Sequence, residues 1–511
     1  MFARLDSIGL FGVDAYGVSV EADVARGMPS FDIVGLPDAS VREARDRVRA
    51  AAKNNGYEVP LGRITVNLAP ADVKKAGPLY DLPILLSILC ASGAVSLPPL
   101  KTAYIGELSL SGEVKAVNGV LPMAIYAREN GFARLFIPAE NAAEASAVDG
   151  IEIYAVTRFT QILSFLSGEC TLTPVSQQTF SQPPEPPFLD FADVKGQQGA
   201  KRALEVAAAG GHNVILVGSP GAGKSMLAKR LPGILPDLTF DEAIQVTKLH
   251  SIAGLLPKGQ PMIRTRPFRS PHHTVSPAAL SGGGSIPKPG EISLAHCGVL
   301  FLDELPEFNR IAIEVMRQPI EDGTVTIARV NGTLSYPCAI MLVAAMNPCP
   351  CGYFGHPTRP CRCSDKAVAS YLSRISGPLL DRLDVHVEVM PVEYTSLSGA
   401  GGSEESSAEI RQRVNGARAI AQTRFELTGA SCNARLPDGV LNEVCTLTDN
   451  AKNLLERSFE RLGLSARAHN RILKVARTIA DLDESPHIDT KHISEAIQYR
   501  SLDRKYWQHR L

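Results

Sequence analysis

One stretch constrains the fold of this chain more than any other: Gly218-Ser219-Pro220-Gly221-Ala222-Gly223-Lys224-Ser225. It has the G-x-x-x-x-G-K-S spacing of a phosphate-binding loop. Its flanks agree. Val214-Ile215-Leu216-Val217 reads as a buried strand, and Met226-Leu227-Ala228-Lys229-Arg230 as the start of a helix. Glycines let backbone N–H groups close around phosphates, and the helix N-terminus adds partial positive charge. Lys224 is placed to reach the β- and γ-phosphates of ATP, and the Ser225 hydroxyl to hold Mg²⁺. A chance glycine-rich turn would leave strand and helix unexplained.

At 511 residues the chain exceeds one core, so two or three domains are expected. Charge is balanced at a formal −1, with no global basic surplus. A nucleic-acid surface must then be local, such as the inside of a ring. No apolar stretch approaches the roughly 20 residues of a membrane span. The start, Met1-Phe2-Ala3-Arg4-Leu5-Asp6, lacks the layout of a signal peptide. The cytoplasm is the expected compartment, and the ten cysteines are expected as thiols or metal ligands.

Residues 1–170 alternate β-type runs, such as Ile64-Thr65-Val66-Asn67-Leu68, with helical ones at 39–54 and 120–130. Residues 171–187 are rich in Thr, Ser, Gln and Pro and form a semi-extended linker. A nucleotide domain of parallel sheet and helices is expected at 188–395. The run 396–403 is flexible by composition, and 409–511 reads as helical, notably 466–482. No internal repeat is visible.

Downstream elements narrow the reading. Val299-Leu300-Phe301-Leu302 is an apolar strand ending in Asp303 and Glu304. Asp303 suits Mg²⁺ and Glu304 suits polarising a water. Ile340 to Met346 is another buried strand, ending at Asn347, which can bond the γ-phosphate or the lytic water; a turn-forming Asn before Pro348 is the plain alternative. Arg382 is a candidate arginine finger toward a neighbouring subunit, with Arg374 in reserve and a local ion pair as the plain alternative. Arg467, with Arg471 one turn on, could contact phosphate from the helical region. Arg461, Arg467, Arg471, Lys474, Arg477, Arg500, Arg504, Lys505 and Arg510 suit either DNA or a solvated helical surface. Trp507 reads equally as anchor or exposed ring.

Cys349, Cys351, Cys361 and Cys363 gather four thiols in fifteen residues. Converging thiolates suit a structural, tetrahedral Zn²⁺, with His356 able to replace one. An iron–sulfur cluster or free thiols remain alternatives.

The ordered set resembles the AAA+ ATPases. The run from Arg266 through Ser270-Pro271-His272-His273-Thr274, the run Gly290 to Gly298, and Asn347-Pro348-Cys349-Pro350-Cys351-Gly352 resemble the magnesium-chelatase-like ComM/YifB family. The likeness covers essentially the whole chain. It implies an AAA+ core between an N-terminal α+β domain and a C-terminal helical lid. It further implies a hexameric helicase that drives branch migration of incoming DNA during natural transformation. An insert and a hairpin, with Asn331-Gly332 as its turn, would line a pore and grip single-stranded or branched DNA, with Arg329 on the phosphate backbone. Recombination proteins are possible partners; a membrane is not. Residues 1–170 resemble the Lon protease domain, a fold shared with part of ribosomal protein S5. Its nucleophilic Ser and basic Lys fall on Leu79 and Leu121, and Lys74 and Lys75 have no serine to activate. Proteolysis is therefore not expected. The domain would serve as an interaction collar through which DNA enters. A protein-remodelling motor of the magnesium-chelatase type is the alternative.

Overall fold

The computed structural model describes residues 1–96, 100–177, 189–284, 287–329, 332–391, 404–502 and 506–507. The chain opens with β1 (Phe2–Phe11) and β2 (Asp14–Ala25), paired antiparallel along their length. Next come β3 (Ser30–Val34), β4 (Arg63–Ala69) and β5 (Thr102–Tyr104), then a short hairpin of β6 (Glu107–Leu108) and β7 (Val114–Lys115). With β8 (Arg134–Pro138) and β9 (Glu152–Val156) they build a seven-stranded sheet ordered β3-β4-β2-β1-β5-β8-β9. Val18, Val20 and Ala22 on β2 and Ile64, Val66 and Leu68 on β4 point inward at every second residue. The helix expected at 39–54 spans Ala39–Asn54. Asp38 caps it by accepting from the Val41 N–H at 2.8 Å, and Val41, Ala44, Val48 and Ala51 form its buried stripe. Leu79, on the short turn Pro78–Tyr80, and Leu121, on the helix Val120–Glu129, are both buried in this hydrocarbon core.

The second sheet is wholly parallel. Its strands are β10 (Val214–Gly218), β11 (Phe268–Arg269), β14 (Val299–Leu302), β17 (Met341–Met346) and β18 (Val385–Val389), ordered β11-β14-β17-β10-β18. Both faces are covered, which is why β10, β14 and β17 read as unbroken apolar runs. Between them lie a two-residue pair, β12 (Gly282–Gly283) with β13 (Lys288–Pro289), and a hairpin, β15 (Thr324–Arg329) with β16 (Gly332–Pro337). In that hairpin Gly332 pairs with Arg329, so it begins the second strand and is not a turn residue. The register instead follows the buried cross-strand pairs Val325–Tyr336 and Ile327–Leu334. Val330, Asn331 and the Arg329 side chain lie outside the described residues.

The helices Ser407–Thr428, Asp449–Leu462, Ala466–Leu482 and Thr490–Gln498 share one apolar core with one face of this sheet. Part of the basic set in this region is committed inside the chain. Arg477, 2% exposed, bonds Asp481, and Lys474 pairs with Asp438 at 3.0 Å. Arg500 is buried and donates to the Leu383 carbonyl at 2.6 Å. Arg477 and Arg500 form neither a DNA surface nor a solvated face, because packing of the helices puts them inside, whereas Lys474 is half-buried. Arg461 and Arg467 are exposed; Arg504, Lys505 and Arg510 lie outside the described residues. Trp507 is an anchor: its ring meets Tyr506 and His386 edge-on at 5.9 and 6.2 Å.

The N-terminal unit grips the second through polar and apolar contacts. Glu144 accepts from Ser251 Oγ and Asn141 Nδ2, each at 2.6 Å. Glu140 pairs with Lys258 at 3.2 Å. Gly12, in the β1–β2 turn, lies so close to Leu334 of β16 that a Cβ there would stand 3.1 Å from it.

Candidate nucleotide-binding site

Parallel register brings three strand ends to one edge. Val217 of β10 is level with Met346 of β17, and Leu302 of β14 with Ala344. The phosphate loop, Asp303, Glu304 and Asn347 therefore project together from the carboxyl edge, where such sheets hold ligands. They line a cleft of about 450 Å³ that also takes in Pro220 and Met226.

Gly221 and Gly223 bend the loop at φ +78° and +96°, which suits glycine. Gly218 touches β18 so closely that a Cβ would lie 2.4 Å from the Val389 carbonyl oxygen. Ser219 and Ala222 are nearly buried. Lys224 Nζ donates to Gly218 O at 2.7 Å, to Ser219 O at 3.0 Å and to Asn347 Oδ1 at 3.0 Å. Burial lowers its pKa, against the nearby charges of Asp303 and Glu304. Three neutral oxygens thus hold the ammonium at the point where a phosphate would offer charged ones.

Ser225 Oγ donates to Asp303 Oδ2 at 2.6 Å. A hydroxyl and a carboxylate oxygen at one point are hard donors of the kind Mg²⁺ takes. Glu304 sits at φ +54°, rare for a residue with a side chain, and this turns its carboxylate out of line with β14. His273 Nδ1 stands 3.6 Å from Glu304 Oε2. Its ring lies tilted by 35° against that of His272 at 4.1 Å and meets Phe308 edge-on at 6.4 Å. Sequence alone marks the two histidines only as motif spelling. The usable signal is that they follow β11, whose end lies beside that of β14.

The arginines lie elsewhere. Asn213, just before β10, bonds the Arg382 carbonyl through its side chain at 3.0 Å and the Asp384 carboxylate through its N–H at 3.2 Å. Arg382 is thus at the amino edge of the sheet, a strand length of about 16 Å from the loop. Its guanidinium pairs with Glu321 at 2.6 Å and is 10% exposed. Arg471 bonds Asp384 at 3.1 Å at this same edge. Burial works against the Asp384 charge, but His212 and Arg471 outweigh it and hold the pKa at about 2. Arg467 is exposed on the first turn of Ala466–Leu482. Arg374 is 53% exposed and bonds Glu307 at 2.9 Å. Neither Arg382 nor Arg467 lines the phosphate cleft.

The four thiols converge. The Sγ–Sγ distances are 3.4 Å for Cys349–Cys351 and 3.6 Å for Cys349–Cys361 and Cys351–Cys361. With Cys363, all four lie within 4.8 Å of one another. A tetrahedral Zn²⁺ with bonds of about 2.3 Å spaces its sulfurs by about 3.8 Å, so the set fits. His356 is turned away, its Nδ1 accepting from the Thr358 and Arg359 N–H groups. Burial pushes the Cys351 thiol up, but backbone N–H groups of Arg362 and Tyr353 outweigh it and bring it down to about 6. All ten cysteines are free of disulfides.

Three families match along the chain: magnesium chelatase, subunit ChlI, over residues 190–397; subunit ChlI of Mg-chelatase over 20–141; and the ChlI C-terminal region over 404–500. The chain is 43% identical over 497 residues to the competence protein ComM of Haemophilus influenzae, covering 96% of each. It is 42% identical over 496 residues to YifB of Escherichia coli, again 96% of each. It belongs to this magnesium-chelatase-like AAA+ family. A partial likeness, 28% over 167 residues, links it to the magnesium-chelatase 67 kDa subunit of Chlorobaculum parvum, covering 32% of this chain and 24% of that one. Membership makes ATP and Mg²⁺ the expected ligands of the cleft. No helix among the described residues is long and apolar enough to cross a membrane.

Proposed function

We propose that the protein is an ATP-driven hexameric DNA helicase of the cytoplasm. It would promote branch migration and integrate incoming DNA by homologous recombination during natural transformation. The observation that carries this reading is the assembly of Lys224, Ser225, Asp303, Glu304 and Asn347 at one sheet edge, in a chain colinear with a competence protein. In this reading Lys224 and the loop amides bind the phosphates, and Ser225 and Asp303 hold Mg²⁺. The metal would neutralise charge between the β- and γ-phosphates. Glu304 polarises the attacking water and Asn347 orients it. Arg382, at the opposite edge of the sheet, would serve the ATP of the adjacent subunit in a ring, and Arg467 would contact phosphate from the helical region. The division into 1–170, 188–395 and 409–511 is part of this proposal. So are a Lon-like, non-proteolytic first unit and a structural zinc at the cysteine loop.

The test compares ATP turnover with and without a three-way DNA junction, alongside strand displacement, for the wild-type chain and Lys224→Ala. DNA-stimulated turnover and displacement, both lost in the variant, are the expected result. A turnover indifferent to DNA, with no displacement, would sink the helicase and favour remodelling of a protein partner.

A further inference from the structure

The cysteine loop does more than follow Asn347 in the chain. Gly352, next to the ligand position Cys351, lies against Pro220 of the phosphate loop. A Cβ at Gly352 would stand 2.3 Å from Pro220 Cδ and 2.6 Å from Cγ, and the residue sits at φ +82°. Its N–H donates to the Cys349 carbonyl at 2.9 Å, closing the turn that carries the first two thiols. The Phe354 N–H donates to Cys349 Sγ at 3.3 Å and ties the next turn to the same sulfur. On the other side of the cleft wall, Asn347, two residues before Cys349, holds Lys224 Nζ at 3.0 Å. The thiol loop thus touches the phosphate loop at Pro220, and Asn347, just before the thiol loop, touches it at Lys224.

We propose that this loop is a wall of the nucleotide site, and that a metal held by Cys349, Cys351, Cys361 and Cys363 tightens nucleotide binding through the Gly352–Pro220 contact. The inference rests on the nucleotide-binding reading of the cleft. Its physics is loop closure. Four ligands on two short segments can hold their positions only against chain entropy, and metal binding supplies that free energy as local folding. Pro220 then packs against an ordered surface, and the phosphate loop starts nearer its binding shape. Coupling of this kind is reciprocal, so nucleotide must tighten metal binding by the factor that metal tightens nucleotide.

The experiment uses the full chain, zinc and a fluorescent ADP analogue in excess Mg²⁺. Zinc-loaded protein is compared with protein stripped by a thiol-reactive mercurial, freed of mercury with excess dithiothreitol and a chelator, and returned to Mg²⁺ buffer. Stripping should weaken ADP binding by about tenfold, within the usual range for linked sites, and added zinc should restore it. Zinc affinity, read by competition with a chelating dye, should rise by the same factor when ADP is saturating. Gly352→Ala should keep its zinc and bind ADP more weakly, because its Cβ meets the Pro220 ring. Equal ADP affinity with and without zinc, together with a zinc affinity blind to ADP, overturns the proposal; so does a chain with no zinc affinity. A chain that binds no ADP in either form overturns instead the nucleotide reading on which it stands. If Gly352→Ala does not fold, the two linked affinities still decide.

Discussion

Within the cleft, Lys224 and Glu304 are separable. Lys224 is bonded by two loop carbonyls and Asn347, whereas Glu304 reaches out from a left-handed turn with its carboxylate 3.6 Å from His273 Nδ1. Glu304→Gln should therefore retain ATP but lower turnover by about 10²- to 10⁴-fold, the usual worth of a general base. Retained binding would show in equilibrium titration with labelled ATP, and lost turnover in phosphate release. A second residue-scale outcome concerns His296, which is 4% exposed. Its Nε2 lies 2.9 Å from Gln245 Oε1, and its Nδ1 accepts from the Ala339 N–H at 2.9 Å, so the ring is neutral with the proton on Nε2. Burial lowers its pKa to about 4. The unfolded chain takes up this proton near pH 6.5 and the folded chain only near 4. The stabilisation is complete above pH 6.5 and is lost as pH falls toward 4, by roughly 3 kcal/mol at 1.36 kcal/mol per pKa unit. Urea midpoints at pH 7 and pH 5 should differ more in the wild type than in His296→Gln.

Helix ends and strand runs were legible because their signals are local. The boundaries Ala39–Asn54 and Ala466–Leu482 follow from Asp38 and Ser465 as caps and from an apolar period of 3.6. The buried runs of β10, β14 and β17 made the sheet edge, and with it the site, readable. The hairpin misled because Asn331-Gly332 is a strong turn signal, while packing of Ile327 on Leu334 set the register. The arginines were less legible for a related reason. Charge shows in sequence but its partner does not when, as for Arg471 and Asp384, it lies 87 residues away. Arg477 was readable in principle, since Asp481 is one helical turn on. That aspartate also accepts from Arg424 twice at 2.9 Å and from Asn433 at 2.8 Å, and is 1% exposed. Asp481→Ala leaves two arginines without their anion and should cost about 3–5 kcal/mol. Denaturant unfolding would show it, and a loss below 1 kcal/mol would mean that water reaches this network.

Across the whole chain, the N-terminal unit and the ATPase core meet where Ser251 and Asn141 point at the buried carboxylate of Glu144. Glu144→Ala should strip both donors of their acceptor and cost about 1–3 kcal/mol. The loss should appear as faster protease cleavage near residues 254–260, with ATP affinity unchanged. A variant as resistant as the wild type would show that the apolar contacts alone hold the joint. Removal of residues 1–170 is a harsher change. It uncovers Ser251 and takes away the turn at Gly12 that backs Leu334 on the hairpin. A truncated chain would fail for want of a neighbour, so the point variant is the cleaner probe. The same feature bears on ancestry. Under the Lon-like reading proposed above, a unit with leucine at both dyad positions, Leu79 and Leu121, has no proteolysis to preserve, yet losing it would leave a raw face on the ATPase core. Descent can keep such a unit as cladding long after its chemistry has gone.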